Sequence, residues 1–217
     1  MGLTNYWNEQ HQKYEKTNWI TKPSLFIQSV FSYFPPSACV LELAAGQGAD
    51  TKFMIKNGCN VVAVDISQYA LDIAKSRIGE QNIHKVEFIA LDIAEKLPFE
   101  DEKFDVVYSH LGLHYFSDKK TIEILKEIKR VLKVQGSLIM LVNTNQDIEL
   151  GKMKMKKIED NYYETETGLK KKYFSTDEIK ILVEPFFEVV LLDNQGETYK
   201  DRAVGNANLI RLIGRKK

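Results

Sequence analysis

The residues best placed to do chemistry are clustered. Glu42, Gly46 and Gly48 stand within seven positions of one another, where the apolar run Cys39-Val40-Leu41-Glu42-Leu43 gives way to Ala44-Ala45-Gly46-Gln47-Gly48. Val40, Leu41 and Leu43 read as a buried strand. Two glycines one residue apart permit backbone angles closed to other residues and leave the main chain open to a ligand. The helix-like segment behind them aims its free N–H groups at the same spot. Glu42 adds a carboxylate beside those donors, so the stretch reads as a nucleotide-like binding turn. Two common types do not fit. A dinucleotide fingerprint needs a third glycine where Thr51 stands, and a phosphate-gripping loop needs a lysine after its last glycine. A plain strand–turn–helix with incidental glycines stays open on this stretch alone.

Acidic residues recur at later strand ends. Asn60 to Val64 reads as a second strand ending at Asp65, about 20 positions beyond the glycines, where nucleotide folds place a carboxylate for two adjacent ribose hydroxyls. Lys85 to Ala90 alternates as a third strand and runs into Leu91-Asp92-Ile93. Helix capping by Asp65 and a surface-loop role for Asp92 are the structural alternatives. Taken together, three segments resemble the class I S-adenosylmethionine-dependent methyltransferases: Leu41 to Gly48, Val61 to Ser67, and Leu91-Asp92-Ile93 with Leu97 to Val107. The resemblance covers about the first two thirds of the chain. It implies a turn in which Glu42, Ala44, Gly46 and Gly48 hold the amino-acid half of S-adenosylmethionine, the carboxylate suiting its ammonium group. Asp65 would then take the ribose, Ile66 and Ile93 the adenine faces and Asp92 its exocyclic amine, with S-adenosylhomocysteine as product. Ala44-Ala45 stands where the family often has Gly-Cys or Gly-Ala, which should tighten the turn without removing it.

Ligands of open α/β sheets lie outside the carboxyl ends of the strands. The residues after the fourth strand, Ser109-His110-Leu111-Gly112-Leu113-His114-Tyr115-Phe116, should therefore face a transferable methyl, with Ser109 on the cofactor side. The Asp/Asn-Pro-Pro-aromatic motif of adenine-N6 and glutamine enzymes is missing here, and neither Cys39 nor Cys59 lies near the C-terminal end of a strand, as a cytosine-C5 nucleophile would. What remains resembles the small-molecule methyltransferases, including the tellurite-resistance and thiopurine-type branches. Methyl transfer from a sulfonium is an in-line displacement, so the protein's work is alignment, exclusion of water and charge stabilisation. A base is needed only when the acceptor arrives protonated, and His114, then His110, are the candidates. His84 precedes the third strand and should be on the surface. Tyr115 and Lys119 match a dehydrogenase Tyr-x-x-x-Lys by coincidence, given the missing dinucleotide glycines. Methylation of RNA or protein, a non-catalytic S-adenosylmethionine-binding module and a nicotinamide oxidoreductase are the competing functions.

The elements around these residues follow from pattern. The expected fold is α/β: a seven-stranded, mostly parallel Rossmann-like sheet with helices on both faces, in one domain spanning 1–217. Residues 1–36 form a helical leader, with Trp7, Tyr14 and Trp19 as lid candidates and Pro35-Pro36 as its stop; 37–142 form the cofactor-binding core; 143–174 form an insert; 175–217 complete the sheet. Ser67 should cap a helix with Leu71, Ala74 and Ile78 inward. Asp118 opens another, with Ile122, Leu125, Ile128 and Leu132 inward and an end near Gly136; Ser137 to Val142 is the fifth strand. The insert mixes lysines (Lys152, Lys154, Lys156, Lys157, Lys170 to Lys172) with acids. It is expected to be solvated and partly helical, to cover the acceptor, and to turn Met153, Met155, Tyr162, Tyr163 and Tyr173 inward. Ser175-Thr176-Asp177-Glu178 is a capping box, and Phe186 to Leu192 and Asn208 to Ile213 are the last, antiparallel strands.

A chain of 217 residues with a formal net charge of zero and 28% charged residues gives no global call for nucleic acid or an anionic membrane. No apolar run approaches the ~18 residues of a membrane span. The first residues lack a signal pattern, and Tyr6 spoils the myristoylation motif. A cytoplasmic protein with a small-molecule acceptor, no metal, buried thiols at Cys39 and Cys59 and an open oligomeric state is expected.

Overall fold

In the computed structural model, residues 2–147, 150, 154–199, 206 and 208–217 are described. Seven strands form one sheet: β1 (Cys39–Leu43), β2 (Asn60–Asp65), β3 (Val86–Ala90), β4 (Phe104–His110), β5 (Leu132–Val142), β9 (Phe187–Gly196) and β10 (Leu209–Lys216), in the order β3-β2-β1-β4-β5-β10-β9. The first five are parallel, and β10 runs antiparallel between β5 and β9. Strand order reverses between β1 and β4, which opens a crevice at their carboxyl ends. The expected fold class holds.

Alternation along the strands sends side chains to two helical layers. Leu41, Leu43, Val107 and Met140 pack on α5 (Asp118–Val131) and α6 (Thr176–Val183). Val40, Ala63, Tyr108 and Ile139 pack instead on α2 (Leu25–Val30), α3 (Ala49–Lys56) and α4 (Gln68–Ile78). Glu42 and His110 follow the parity of Val40 and Tyr108, so both face the second layer. The leader's first helix, α1 (Leu3–Tyr14), contacts α4. Ser67 caps α4, with Leu71, Ala74 and Ile78 buried, and Ser175 and Glu178 form the capping box of α6.

Three expectations change. Helix α5 ends at Val131 and passes straight into β5 at Leu132, five residues early. Gly136 is thus no helix stop: a Cβ there would lie 3.1 Å from the Asp105 carbonyl, where β4 and β5 shift register. On α5 the inward residue is Ile124 and Ile122 is half-buried. From Met155 to Lys172 the insert is not helical but a three-stranded antiparallel sheet, β6 (Met155–Glu159), β7 (Tyr162–Thr165) and β8 (Lys170–Lys172). Its mixed charges are cross-strand neighbours, Lys156 facing Glu164 and Glu164 facing Lys170, which supports pairing of strands. Lys152 and Met153 lie outside the described residues. Cys59 is buried, with its thiol pushed up to about 11 by burial, whereas Cys39 is half-buried. Among the described residues, no helix is long and apolar enough to cross a membrane.

Candidate functional site

The glycine turn works as the sequence suggests in outline and differently in detail. Ala44 sits at φ 59°, in the left-handed region that explains a family preference for glycine there. Its methyl is tolerated because Gly112 lies opposite: a Cβ on Gly112 would come 2.7 Å from the Ala44 Cβ. Gly46 and Gly48 also have positive φ, 54° and 75°. Gly48 does not face the crevice. A Cβ there would lie 2.6 Å from the Ala74 Cβ, so Gly48 lets the start of α3 pack closely on α4.

Three carboxylates enclose this turn. Glu42 is 2% exposed and accepts a hydrogen bond from Thr51 Oγ1. Burial, then the nearby Asp50, pushes its carboxyl well above the usual range. Asp65, also buried, accepts the Gly46 amide at 2.8 Å and the Ser67 amide at 2.9 Å, clamping the turn to β2. Burial raises its carboxyl too, opposed by those amides and by His11. Asp50, in the first turn of α3, accepts the Ser24 amide (2.6 Å), Ser24 Oγ (2.8 Å) and Tyr108 Oη (2.7 Å), and His110 Nδ1 lies 3.7 Å from it. Ser24 is the N-cap of α2, so this network ties the leader to the turn.

The leader also covers the turn from above. His11 stands over Gly46, 3.2 Å from where a Cβ would sit. Its carbonyl accepts from Gln47 Nε2 at 2.7 Å, and Ser67 Oγ donates to Asn8 Oδ1 at 2.6 Å. Burial lowers the His11 pKa, favouring the neutral ring.

Between leader, sheet edge and cap lies a cavity of about 320 Å³. Of the residues singled out from sequence, Glu42, Ala44, Gly46, Asp65, Ile66, Asp92 and Ile93 line one wall. His110, His114 and Tyr115 line a second, and Trp7, Tyr14 and Trp19 the leader side. Trp7 meets Tyr115 edge-on at 5.1 Å, closing the leader against the loop after β4. Besides Gly48, two more do not face the cavity and are corrected. Ser109 is fully buried and donates to the Leu43 carbonyl at 3.2 Å, because strand parity turns it away from His110. Tyr173 is fully buried beneath the cap, beside Tyr163; Leu169 and Lys171 supply the cap's wall instead. His84 is exposed.

Sequence reasoning missed Asp50, Ser24, Tyr108, Gln47 and Asn143. Asp50 had a readable signal as an acid in the first turn of a helix directly after the glycines. Tyr108 and Asn143 look like ordinary strand residues until the topology brings them together.

Sheet and crevice have the Rossmann-like methyltransferase fold, and residues 40–136 match the family described as "Methyltransferase domain". A demethylmenaquinone methyltransferase of Clavibacter sepedonicus is 35% identical over 101 residues, 46% of this chain and 39% of that protein. A ubiquinone/menaquinone biosynthesis C-methyltransferase of Shewanella frigidimarina is 31% identical over 131 residues, 58% and 49% of the two chains. The match thus spans between two fifths and one half of these relatives' length. Among solved structures, the 1,6-didemethyltoxoflavin-N1-methyltransferase of Burkholderia thailandensis, with that compound and S-adenosylhomocysteine bound, superposes with a TM-score of 0.74 at 17% identity, over 99% of this chain and 87% of that one.

The residues present suit the donor this class implies, S-adenosylmethionine. Its ammonium and sulfonium suit a wall of buried carboxylates. Its polar edges suit His11 Nδ1 and Gln47 Oε1, two buried side-chain atoms of the wall without a hydrogen-bond partner among the described residues. The residues fit.

Proposed function

We propose that this protein is an S-adenosylmethionine-dependent methyltransferase acting on a small-molecule acceptor with an apolar, ring-bearing body. One observation carries the reading. Glu42, Asp50 and Asp65, none more than 6% exposed, share one crevice, and among the described residues none of them pairs with lysine or arginine. Buried carboxyl groups without a lysine or arginine partner favour a cationic ligand, whose charge would offset their ionisation. The ring-bearing acceptor is supported by Trp7, Trp19, Tyr115, Phe116 and Tyr199 in the same walls, and by the quinone and toxoflavin substrates in the names of the relatives.

In this reading the leader and the 143–174 cap close over the core. Asp65 takes the ribose, Ile66, Asp92 and Ile93 the adenine, and Glu42 with the turn amides the amino-acid end. Bound there, S-adenosylmethionine supplies an electrophilic methyl on a positively charged sulfur. The chain's own contribution is to align an acceptor atom with that methyl and keep water out, which the α1 aromatics do. Where the acceptor is a hydroxyl or ammonium, His110 takes its proton. Asp50 lies 3.7 Å from that ring's Nδ1, and Phe26 stacks on it with centroids 6.2 Å apart. His114, 2% exposed, contacts the acceptor's far side.

The test is a methyl-labelled donor offered with a panel of hydroquinones, phenols, amines and thiols. Transfer to a ring-bearing acceptor is expected; transfer only to RNA or protein fractions, or to nothing in the presence of bound donor, would contradict the reading.

A further inference from the structure

Lys172 is a buried charge that the crevice chemistry leaves unused. It is 2% exposed, at the end of β8. Its ammonium lies 2.9 and 3.0 Å from the two carboxylate oxygens of Asp118 and 2.9 Å from the Asp160 carbonyl, with Glu178 at 3.8 Å. Its amide donates to the His114 carbonyl at 2.7 Å. Lysine is among the residues least often fully buried. A buried ion pair adds little net stability over apolar packing, and its best-attested use is to select one arrangement among several.

The arrangement at stake is the loop between β4 and α5. It carries His114, Tyr115 and Phe116 into the cavity wall and ends at Asp118, the first residue of α5. Lys172 grips this loop twice, with its amide at His114 and its ammonium at Asp118. The residues that follow bind the neighbouring wall: the Phe174 amide donates to the Asn143 carbonyl at 3.1 Å, and the Asn145 amide to the Phe174 carbonyl at 2.9 Å. Just before Lys172, Leu169 and Lys171 form the cap's part of the wall. A single residue therefore joins cap, loop and helix on the acceptor side, and among the described residues none of its contacts reaches the glycine turn.

We propose that Lys172 is a positioning residue that sets the acceptor wall, fixing His114 relative to the cap. The proposal rests on the methyltransferase reading of the crevice, but its test needs no acceptor. Full-length K172M keeps the length of the side chain and removes its charge. Relative to wild type, amide exchange over residues 111–117 should quicken by about tenfold or more while residues 39–48 are unaffected. The His114 ring-proton NMR signals should shift and those of His11 and His84 stay, and K172R should restore the His114 signals. Calorimetry with S-adenosylhomocysteine should give a Kd within about twofold of wild type. Unmoved His114 signals with unchanged exchange would overturn the proposal, and so would equal quickening in both segments, which is general loss of packing. If K172M does not fold, D118N is read by the same criteria, because Asp118 is 46% exposed and its substitution spares the core. Should wild type itself fail to bind S-adenosylhomocysteine, the functional reading falls, and the exchange and NMR results still decide the role of Lys172.

Discussion

The two sides of the crevice are built on different principles. The turn side, β1, β2 and the glycine turn itself, is held by backbone geometry: left-handed residues at 44, 46 and 48, and amides donating to Asp65. The side proposed for the acceptor is assembled from elements far apart in sequence, namely the leader, the loop after β4 and the cap sheet. Side chains and a few backbone bonds hold them together. A donor common to a whole class calls for the first kind of wall. Acceptors differ, and a wall grafted from separate segments is where such differences reside.

This contrast can be broken most severely at His110. H110A should lower turnover by about 100-fold or more where the acceptor must lose a proton, with S-adenosylhomocysteine affinity little changed; steady-state kinetics beside calorimetry checks both. D50N should follow in the same direction with a smaller loss. Equal loss of donor affinity would move this network to the turn side.

On the turn side, D65A should weaken S-adenosylhomocysteine binding by roughly 1.5–3 kcal/mol, the worth of charge-assisted hydrogen bonds, measured by calorimetry. G112A tests the packing of the turn. Its methyl would meet the Ala44 methyl and Ser109 Oγ, each at 2.7 Å, so a loss of about 1–3 kcal/mol is expected by denaturant titration. Adding A44G should recover part of that loss, since it removes one of the clashing methyls.

The smallest effect concerns pH. Because the folded-state pKa of Glu42 is raised by burial, the folded protein holds a proton that the unfolded chain releases near pH ~4.3. Stability of the ligand-free protein should therefore fall as pH rises from there through the raised value, and the loss should persist above it. E42Q should flatten that decline, raising the neutral-pH Tm by about 2–4 °C for each 1 kcal/mol regained while weakening S-adenosylhomocysteine. A Tm lowered by E42Q would mean that the carboxylate is already stabilised without a ligand.

The two sides also differ in how far sequence reveals them. Strand β2 and the capping box at Ser175 were legible because hydrophobic period and cap chemistry are local. So were Glu42, Gly46 and Asp65, which one turn brings together. Local reading erred where the decisive contact was distant. The role of Gly48 depends on Ala74, and Gly136 answers to the Asp105 carbonyl rather than to its own helix. Ser109 was assigned to the site by its position in a motif, but strand parity turns it away. In the insert, mixed lysines and acids suggested a solvated, partly helical segment, and pairing makes those of 155–172 neighbours across strands. Asp50, Ser24 and Tyr108 come from three elements and meet only in the fold.

The most direct measurement is a calorimetric titration of the wild-type protein with S-adenosylhomocysteine near neutral pH. Saturable binding of one molecule per chain, weakened at least about tenfold in D65A, is the predicted result. No heat at high ligand concentration, or binding indifferent to D65A, would contradict the assignment of the carboxylate-lined crevice to the donor.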